Sequence, residues 1–376
     1  MTQVLLQDVA TPSFLVDRSI VQRNCDAMRE KARLSGVAFR PHVKTHKSVA
    51  IGRMQHGGAA GPITVSTLAE AEQFAADGFR DITYAFPIAP GKLKRAADLA
   101  ARIDRLSVLL DSEETLRAIE AFAAGHGLTR QGLTFDVFLK VDCGYHRAGV
   151  DPENPDSARL AIALARSEAV RFQGLLTHAG HSYNARDAEE IGRIAAEEAG
   201  SLTRFRALLA AEGLGEARRS VGSTPTAAVV ERFIECDEVR PGNYVFFDAF
   251  QSTIGSCTLK DVAVSVLTTV VGSYPERGSL IVDAGALALS KDISPDHIKP
   301  GFGYGLVCDL ELNPLPMRIT ALSQEHGKIT TAANVPVGTR LRILPNHSCL
   351  TSAMFDTYQI LDRGRVVDQW RPGRGW

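Results

Sequence analysis

Over the first two-thirds of the chain, short aliphatic and β-branched runs alternate with Ala-rich segments whose apolar positions recur at helical spacing. The runs are Val37–Val43, Ile63–Thr67, Ile82–Phe86, Leu106–Leu110, Asp136–Asp142, Phe172–His178, Arg218–Thr224 and Glu238–Tyr244. Between them lie helical patterns such as Leu68–Gly78 and Asp187–Glu212, the latter read as more than one piece separated by a turn. Strands that alternate with helices predict a parallel sheet, and eight such units are what a (β/α)8 barrel needs. A doubly wound open sheet is the alternative; no GxGxxG follows the first strand to support it.

From about Val262 the pattern changes. Strand signals follow one another without long helical repeats: Val262–Val271, Ser279–Val282, Met317–Leu322, Leu341–Leu344 and Tyr358–Leu361, punctuated by Gly and Pro. This predicts a second, mainly β domain. The expected division is a barrel over residues 13–248 and a β domain made of residues 1–12 and 249–376, with the N-terminal dozen residues pairing into the β domain. The fold class is therefore α/β: a (β/α)8 TIM-like barrel plus a mainly β C-terminal domain.

The 376 residues are 45% hydrophobic, enough for two cores. The formal net charge of −1 gives no reason to expect nucleic acid or an anionic membrane as partner. No apolar run approaches the roughly 20 residues that span a bilayer, and the N-terminus lacks a basic stretch followed by an apolar core, so a cytoplasmic protein is expected. The six cysteines are widely spaced and form no CxxC pair. They read as reduced packing residues, with Cys349 the exception.

Active sites of such barrels lie at the C-terminal ends of the strands. The first strand runs into Arg40-Pro41-His42-Val43-Lys44-Thr45-His46-Lys47. A lysine there forms a Schiff base if its pKa is lowered by cations or desolvation, and Arg40, His42, His46 and Lys47 are the expected cations. The alternative is a basic surface turn. The seventh and eighth strands end in Gly222-Ser223-Thr224-Pro225-Thr226 and Pro241-Gly242-Asn243-Tyr244. Small residues, hydroxyls and exposed backbone N–H groups after strands 7 and 8 suit a phosphate, although each segment alone also reads as an ordinary turn. Together with Lys44 they fit a phosphorylated cofactor that forms an imine.

In the β domain, Pro345-Asn346-His347-Ser348-Cys349 places His and Cys at i and i+2, on one side of an extended backbone. An imidazole and a thiolate favour zinc, although catalytic zinc usually has three protein ligands. A buried Cys beside a hydrogen-bonded His is the competing reading. Asp283, Glu325 and His326 are further candidate ligands, or turn residues making local hydrogen bonds.

Arg-Pro-His-Val-Lys-Thr-His-Lys, Thr-Val-Ser-Thr-Leu-Ala-Glu-Ala, Leu-Thr-His-Ala-Gly-His-Ser-Tyr, Val-Gly-Ser-Thr-Pro-Thr, Phe-Gly-Tyr-Gly, Gln-Glu-His-Gly and Pro-Asn-His-Ser-Cys resemble the D-serine dehydratase and D-threonine aldolase family. The likeness runs from about Asp8 to Trp376 and is closest to the dehydratase branch. It implies an alanine-racemase-like fold, a head-to-tail homodimer and pyridoxal 5′-phosphate on Lys44. Arg147 matches the arginine near the cofactor's 3′-oxygen. His178, Tyr183, Ser223, Thr224, Gly242, Asn243 and Tyr244 fall in the segments that hold ring and phosphate. His347 and Cys349 match the metal pair of the dehydratases, for zinc or another divalent metal; the aldolases typically carry Asp at the second position.

The resemblance thus implies a lyase acting on a D-3-hydroxyamino acid (3-hydroxy-D-aspartate, D-serine or D-threonine), with Lys44 as the base for the α-proton and the metal on the β-hydroxyl, giving a 2-oxo acid and ammonia. An aldolase yielding glycine and an aldehyde competes with it. So does a racemase, for which no second base can be named. A non-catalytic cofactor-binding homeostasis protein is the reading of another class, but such proteins usually lack a β domain.

Overall fold

The structure, a computed structural model of the chain, describes residues 4–128 and 133–376; residues 1–3 of the expected β domain lie outside them. It divides into two compact units, one of residues 1–26 and 243–372, the other of residues 27–242 and 373–376.

The second unit holds eight parallel strands, each near one of the eight apolar runs: Ala38–Phe39, Ile63–Val65, Asp81–Pro87, Arg105–Leu110, Phe135–Lys140, Val170–Leu176, Arg218–Val221 and Glu238–Val239. Sequential strands are neighbours, and Glu238–Val239 pairs with Ala38–Phe39. A parallel bridge between His42 and Thr64, with the Thr64 N–H donating to the Pro41 carbonyl (2.9 Å), joins the two ends of the sheet into a barrel. The first strand is shorter than Val37–Val43 because Pro41 has no N–H to give to the ladder. The seventh stops before Thr224 because the Ser223 side chain accepts the Thr226 N–H and starts the helix Thr224–Val229.

The intervening helices begin where the sequence supplies caps: Thr67 accepts the Glu70 N–H ahead of Leu68–Ala76, and Ser112 accepts the Thr115 N–H ahead of Glu113–His126. The segment expected to break into pieces is one helix, Ala188–Ala210, capped by Asp187. Gly192 and Gly200 cost it too little to break it, because they sit among Ala, Glu and Leu, which favour helix.

The first unit is a mainly antiparallel sheet of ten strands. Val264–Tyr274 is its hub, pairing with Ser13–Asp17, Ser279–Val282 and Arg340–Leu344. The pairing with Arg340–Leu344 closes part of the sheet on itself. Val4–Leu5 pairs with Arg365–Trp370. Ser13–Asp17 also joins this sheet, parallel to Tyr358–Asp362, so the chain enters the barrel unit later than residue 13. The run Ser-Phe-Leu-Val-Asp is buried along nearly its whole length and shows no alternation, which is why its pattern does not announce an amphipathic strand.

Phe14 centres an aromatic cluster in this unit. Its ring lies 5.0 Å from Tyr358, 5.6 Å from Phe355 and 6.0 Å from Phe246. Phe14 is fully buried. Phe14→Ala is expected to destabilise this unit by about 3–5 kcal/mol, through lost burial and the cavity left behind. Denaturant unfolding followed by near-UV circular dichroism checks it; a loss below about 1 kcal/mol would show that the cluster is not a core.

Candidate active site

Lys44 lies in a 3₁₀ turn, Val43–Thr45, directly after the first barrel strand. Its backbone N–H donates to His42 Nδ1 (3.4 Å), and His42 Nε2 faces Ser66 Oγ (3.4 Å). His178, at the end of the sixth strand, turns Nδ1 to the Gly222 carbonyl. That contact puts the proton on Nδ1 and leaves Nε2 as an acceptor. Burial, and after it the nearby Lys44 ammonium, holds both imidazoles well below their ordinary pKa, so both are neutral at pH 7. Lys44 therefore has two uncharged rings near it.

The cations expected beside it are otherwise engaged. Arg40 is gripped by Asp81 (2.6 and 3.1 Å) and Glu238 (2.7 Å). Lys47 pairs with Glu70 (3.0 Å), and burial pushes His46 to about 3. Positive charge comes instead from the end of the fifth strand. The Arg147 guanidinium sits 4.9 Å over the ring of Tyr145, whose centroid lies 6.4 Å from those of His178 and His181. Gly180 permits this packing: a Cβ there would come within 2.2 Å of the Tyr145 ring. Lys140 is buried at the end of the same strand. Burial first, then Arg240 and Arg147, push its amine down to about 8, against the pull of Cys143 and Glu198.

Hydroxyls stitch the ends of strands 6, 7 and 8 together. Ser223 Oγ lies 3.0 Å from Ser182 Oγ and 2.7 Å from Thr226 Oγ1, and Thr224 Oγ1 accepts the Gly242 N–H (3.3 Å). Gly242 lets the eighth loop lie on the first: a Cβ would meet His42 Cβ at 3.0 Å and its carbonyl oxygen at 3.1 Å. Tyr183 is half-buried in the turn Gly180–Asn184. The buried Glu198 carboxylate accepts the N–H groups of Ala179 (3.0 Å) and Gly222 (3.2 Å), tying the loops that carry His178 and Ser223. A neutral-ring pocket beside a lysine, a close glycine cradle, a hydroxyl cluster and the buried, unpartnered His181 Nδ1 fit a planar, phosphorylated carbonyl cofactor.

Asn243 and Tyr244 fall in the other unit, with His347 and Cys349. Tyr244 is buried. The Asn243 amide donates to Asp248 Oδ2 (2.8 Å), Ser348 Oγ (2.8 Å) and Cys349 Sγ (3.7 Å). His347 hydrogen-bonds to Cys349, so the two are brought together. His347 Nδ1 meets Asp292 Oδ2 at 3.1 Å, so Nε2 is the nitrogen turned to the Cys349 side, where a metal would replace the hydrogen bond. Although burial opposes it, bonds from His347 and Ser294 hold the Asp292 carboxyl at about 2.

Among the described residues no cluster of three or more His, Cys, Asp or Glu is placed to hold a metal ion. The donor set here is a pair, flanked by the buried, unpartnered oxygens of Asn243 and Asn346. It fits a soft divalent ion whose remaining positions are open. Asp283 is spent elsewhere, accepting from Thr11 (2.6 Å), Thr268 (2.6 Å) and the Thr269 N–H (2.9 Å). Glu325 and His326 lie exposed in the turn between Pro314–Leu322 and Gly327–Thr330. Asp292, Glu198 and Lys140 carry no motif in the sequence that marks them. Asp292 is 55 residues from its partner His347, a separation no local motif bridges.

Lys140 gives a test through pH. The folded amine titrates near 8 and an unfolded lysine near its ordinary 10.5, so between these values only the unfolded chain holds the proton. Stability of the barrel unit is expected to rise with pH from about 8 to about 10 through this group, and Lys140→Met is expected to flatten that rise. Urea unfolding across the range reads it; identical pH profiles for the two proteins would show that Lys140 carries its charge unhindered.

Residues 16–249 match the family model for the alanine racemase N-terminal domain, and residues 263–361 match the "Putative serine dehydratase domain". The chain is 41% identical to D-threo-3-hydroxyaspartate dehydratase of Delftia sp. (strain HT23), over the whole of both proteins. It is 38% identical to D-serine dehydratase of Dictyostelium discoideum, covering 99% of this chain and 98% of that one. A solved structure of a cysteine mutant of D-threo-3-hydroxyaspartate dehydratase, in its metal-free form, superposes with a TM-score of 0.91 at 40% identity, covering 99% and 100% of the two chains. The expected alanine-racemase-like architecture is thus what the chain has, and it belongs to the dehydratase family that joins an alanine racemase N-terminal domain to a serine dehydratase domain.

Proposed function

We propose that this protein is a pyridoxal 5′-phosphate- and zinc-dependent lyase that converts a D-3-hydroxyamino acid, such as 3-hydroxy-D-aspartate, D-serine or D-threonine, to a 2-oxo acid and ammonia. The observation that carries this reading is Lys44 at the barrel mouth beside two neutral histidines, in a chain whose full-length relatives are dehydratases. When bound, the cofactor supplies an electron sink for the charge left by the departing α-proton.

The chain's own residues carry the rest. Lys44 Nζ holds the cofactor and takes the α-proton. His42 and His178, neutral and desolvated, stand beside the lysine as uncharged polar rings. Arg147, fixed over Tyr145, is the cation for the cofactor's 3′-oxygen. Tyr183, Ser223, Thr224 and the Gly242 backbone bind ring and phosphate, with Asn243 and Tyr244 continuing the same loop. His347 and Cys349 hold the metal, with Asp292 fixing the imidazole tautomer. A divalent ion there supplies the Lewis acidity that hydroxide, a poor leaving group, requires. A solved structure of a cysteine mutant of D-threo-3-hydroxyaspartate dehydratase is of its metal-free form, which supports a metal in that relative. A cytoplasmic homodimer completes the reading. No helix among the described residues is long and apolar enough to cross a membrane.

Product analysis with D-threonine tests the reaction. The dehydratase is expected to release 2-oxobutanoate and ammonia; glycine and acetaldehyde would make it an aldolase. Lys44→Ala is expected to lose both turnover and the cofactor's absorbance. EDTA should abolish elimination and zinc restore it; full turnover by protein verified to be metal-free would remove the metal from the mechanism. Asp292→Asn is expected to weaken zinc binding about 10–100-fold, measured by chelator competition without substrate. Unchanged affinity would show that the Asp292 contact with His347 does not support the metal.

A further inference from the structure

The helix Ala188–Ala210 buries Leu202, Phe205 and Leu209 in its C-terminal half. Its N-terminal half carries Gly192, Ala195, Ala196 and Ala199 on one face, at i, i+3, i+4 and i+7, where large side chains would otherwise fill the space against the barrel wall. A pocket of about 350 Å³ opens there, between this helix, the short helix Thr224–Val229 and the segment Val230–Cys236. That size lies within the range of small-molecule sites, roughly 300–1,000 Å³.

The pocket is held open by its frame. Lys31 Nζ donates to the carbonyls of Ala227 (3.0 Å), Ala228 (2.9 Å) and Val230 (2.7 Å), and the Phe233 N–H donates to Ser35 Oγ (3.0 Å). The walls are apolar: Val221, Val230, Phe233 and Ile234 contribute, and Ile234 is 68% exposed. The one buried carboxylate, Glu198, already accepts from two backbone N–H groups. Polar recognition is left to Glu231 and Arg232, both exposed, both lining the pocket, and neither in an ion pair among the described residues.

An occupant that uses the whole lining would present an apolar body to the pocket and, beside it, a cation and an anion to Glu231 and Arg232. We propose that this pocket binds a hydrophobic α-amino acid, with its side chain among Ala195, Ala199, Phe233 and Ile234, its ammonium at Glu231 and its carboxylate at Arg232. The site is separate from the Lys44 site and does not depend on the reaction assigned to it. Glu198 links the two, since the same carboxylate that lines this pocket holds the N–H groups of Ala179 and Gly222.

Isothermal titration of the cofactor-loaded protein with L-phenylalanine and L-leucine tests the proposal, with 3-phenylpropionate and phenethylamine as probes that lack one charge. Saturable binding of one L-amino acid per chain is expected, weakened at least about tenfold for each one-charge probe and in Arg232→Ala. Ala195→Phe, checked for folding by circular dichroism, should abolish it, whereas Lys44→Ala should leave it intact. Arg232 is exposed, so its variant stays informative even if the pocket-filling one misfolds. The proposal is overturned if no saturable heat appears at millimolar ligand, if Arg232→Ala binds undiminished, or if binding disappears in Lys44→Ala.

Discussion

The barrel depends on one buried ion pair at its seam. The first and last strands, Ala38–Phe39 and Glu238–Val239, have two residues each, so their shared backbone ladder is minimal. Arg40 supplies what the ladder lacks. It is buried and reaches Glu238 on the last strand and Asp81 on the third. Glu238 in turn accepts from Ser220 Oγ (2.6 Å) on the seventh strand. Although burial opposes it, Arg40 holds the Glu238 carboxyl below its ordinary range, so the pair stays charged. Removing one partner of such a pair leaves an uncompensated buried charge, at a cost of about 3–5 kcal/mol. Lys44 lies four residues beyond Arg40, so the seam that closes the barrel also sets the position of the lysine.

That role explains why the basic cluster around Lys44 is not a reservoir of free charge. Arg40 is structural, His46 is neutral and Lys47 is paired. Charge near Lys44 comes from the end of the fifth strand, through Arg147 and Lys140. The two histidines beside Lys44, His42 and His178, are themselves uncharged. A Schiff base and a general base both need the lysine as the free amine.

Most of the barrel is readable from the chain because its strands are short apolar runs separated by capped, Ala-rich helices. Residues that stand at strand ends, such as Lys44, His178 and Ser223, are readable for the same reason. The β unit is less legible. Ser13–Asp17 is buried on both faces, Gly327–Thr330 has four residues, and Arg365–Trp370 mixes charge with apolar positions. Contacts over long sequence separations are the least legible. Asp292 meets His347, and Glu198 ties Ala179 to Gly222, only because the fold brings distant segments together. The assignment of Arg40 and Lys47 as activating cations fails on the same ground, since their partners Glu238 and Glu70 lie on other elements.

The barrel mouth holds two lysines with a claim to the cofactor: Lys44 on the first strand's turn, and Lys140, whose amine burial lowers to about 8. Borohydride reduction of the cofactor-loaded protein, followed by proteolysis and mass mapping, distinguishes them. The account predicts a single reduced pyridoxyl adduct on the peptide that contains Lys44. An adduct on Lys140, or none on Lys44, would contradict it.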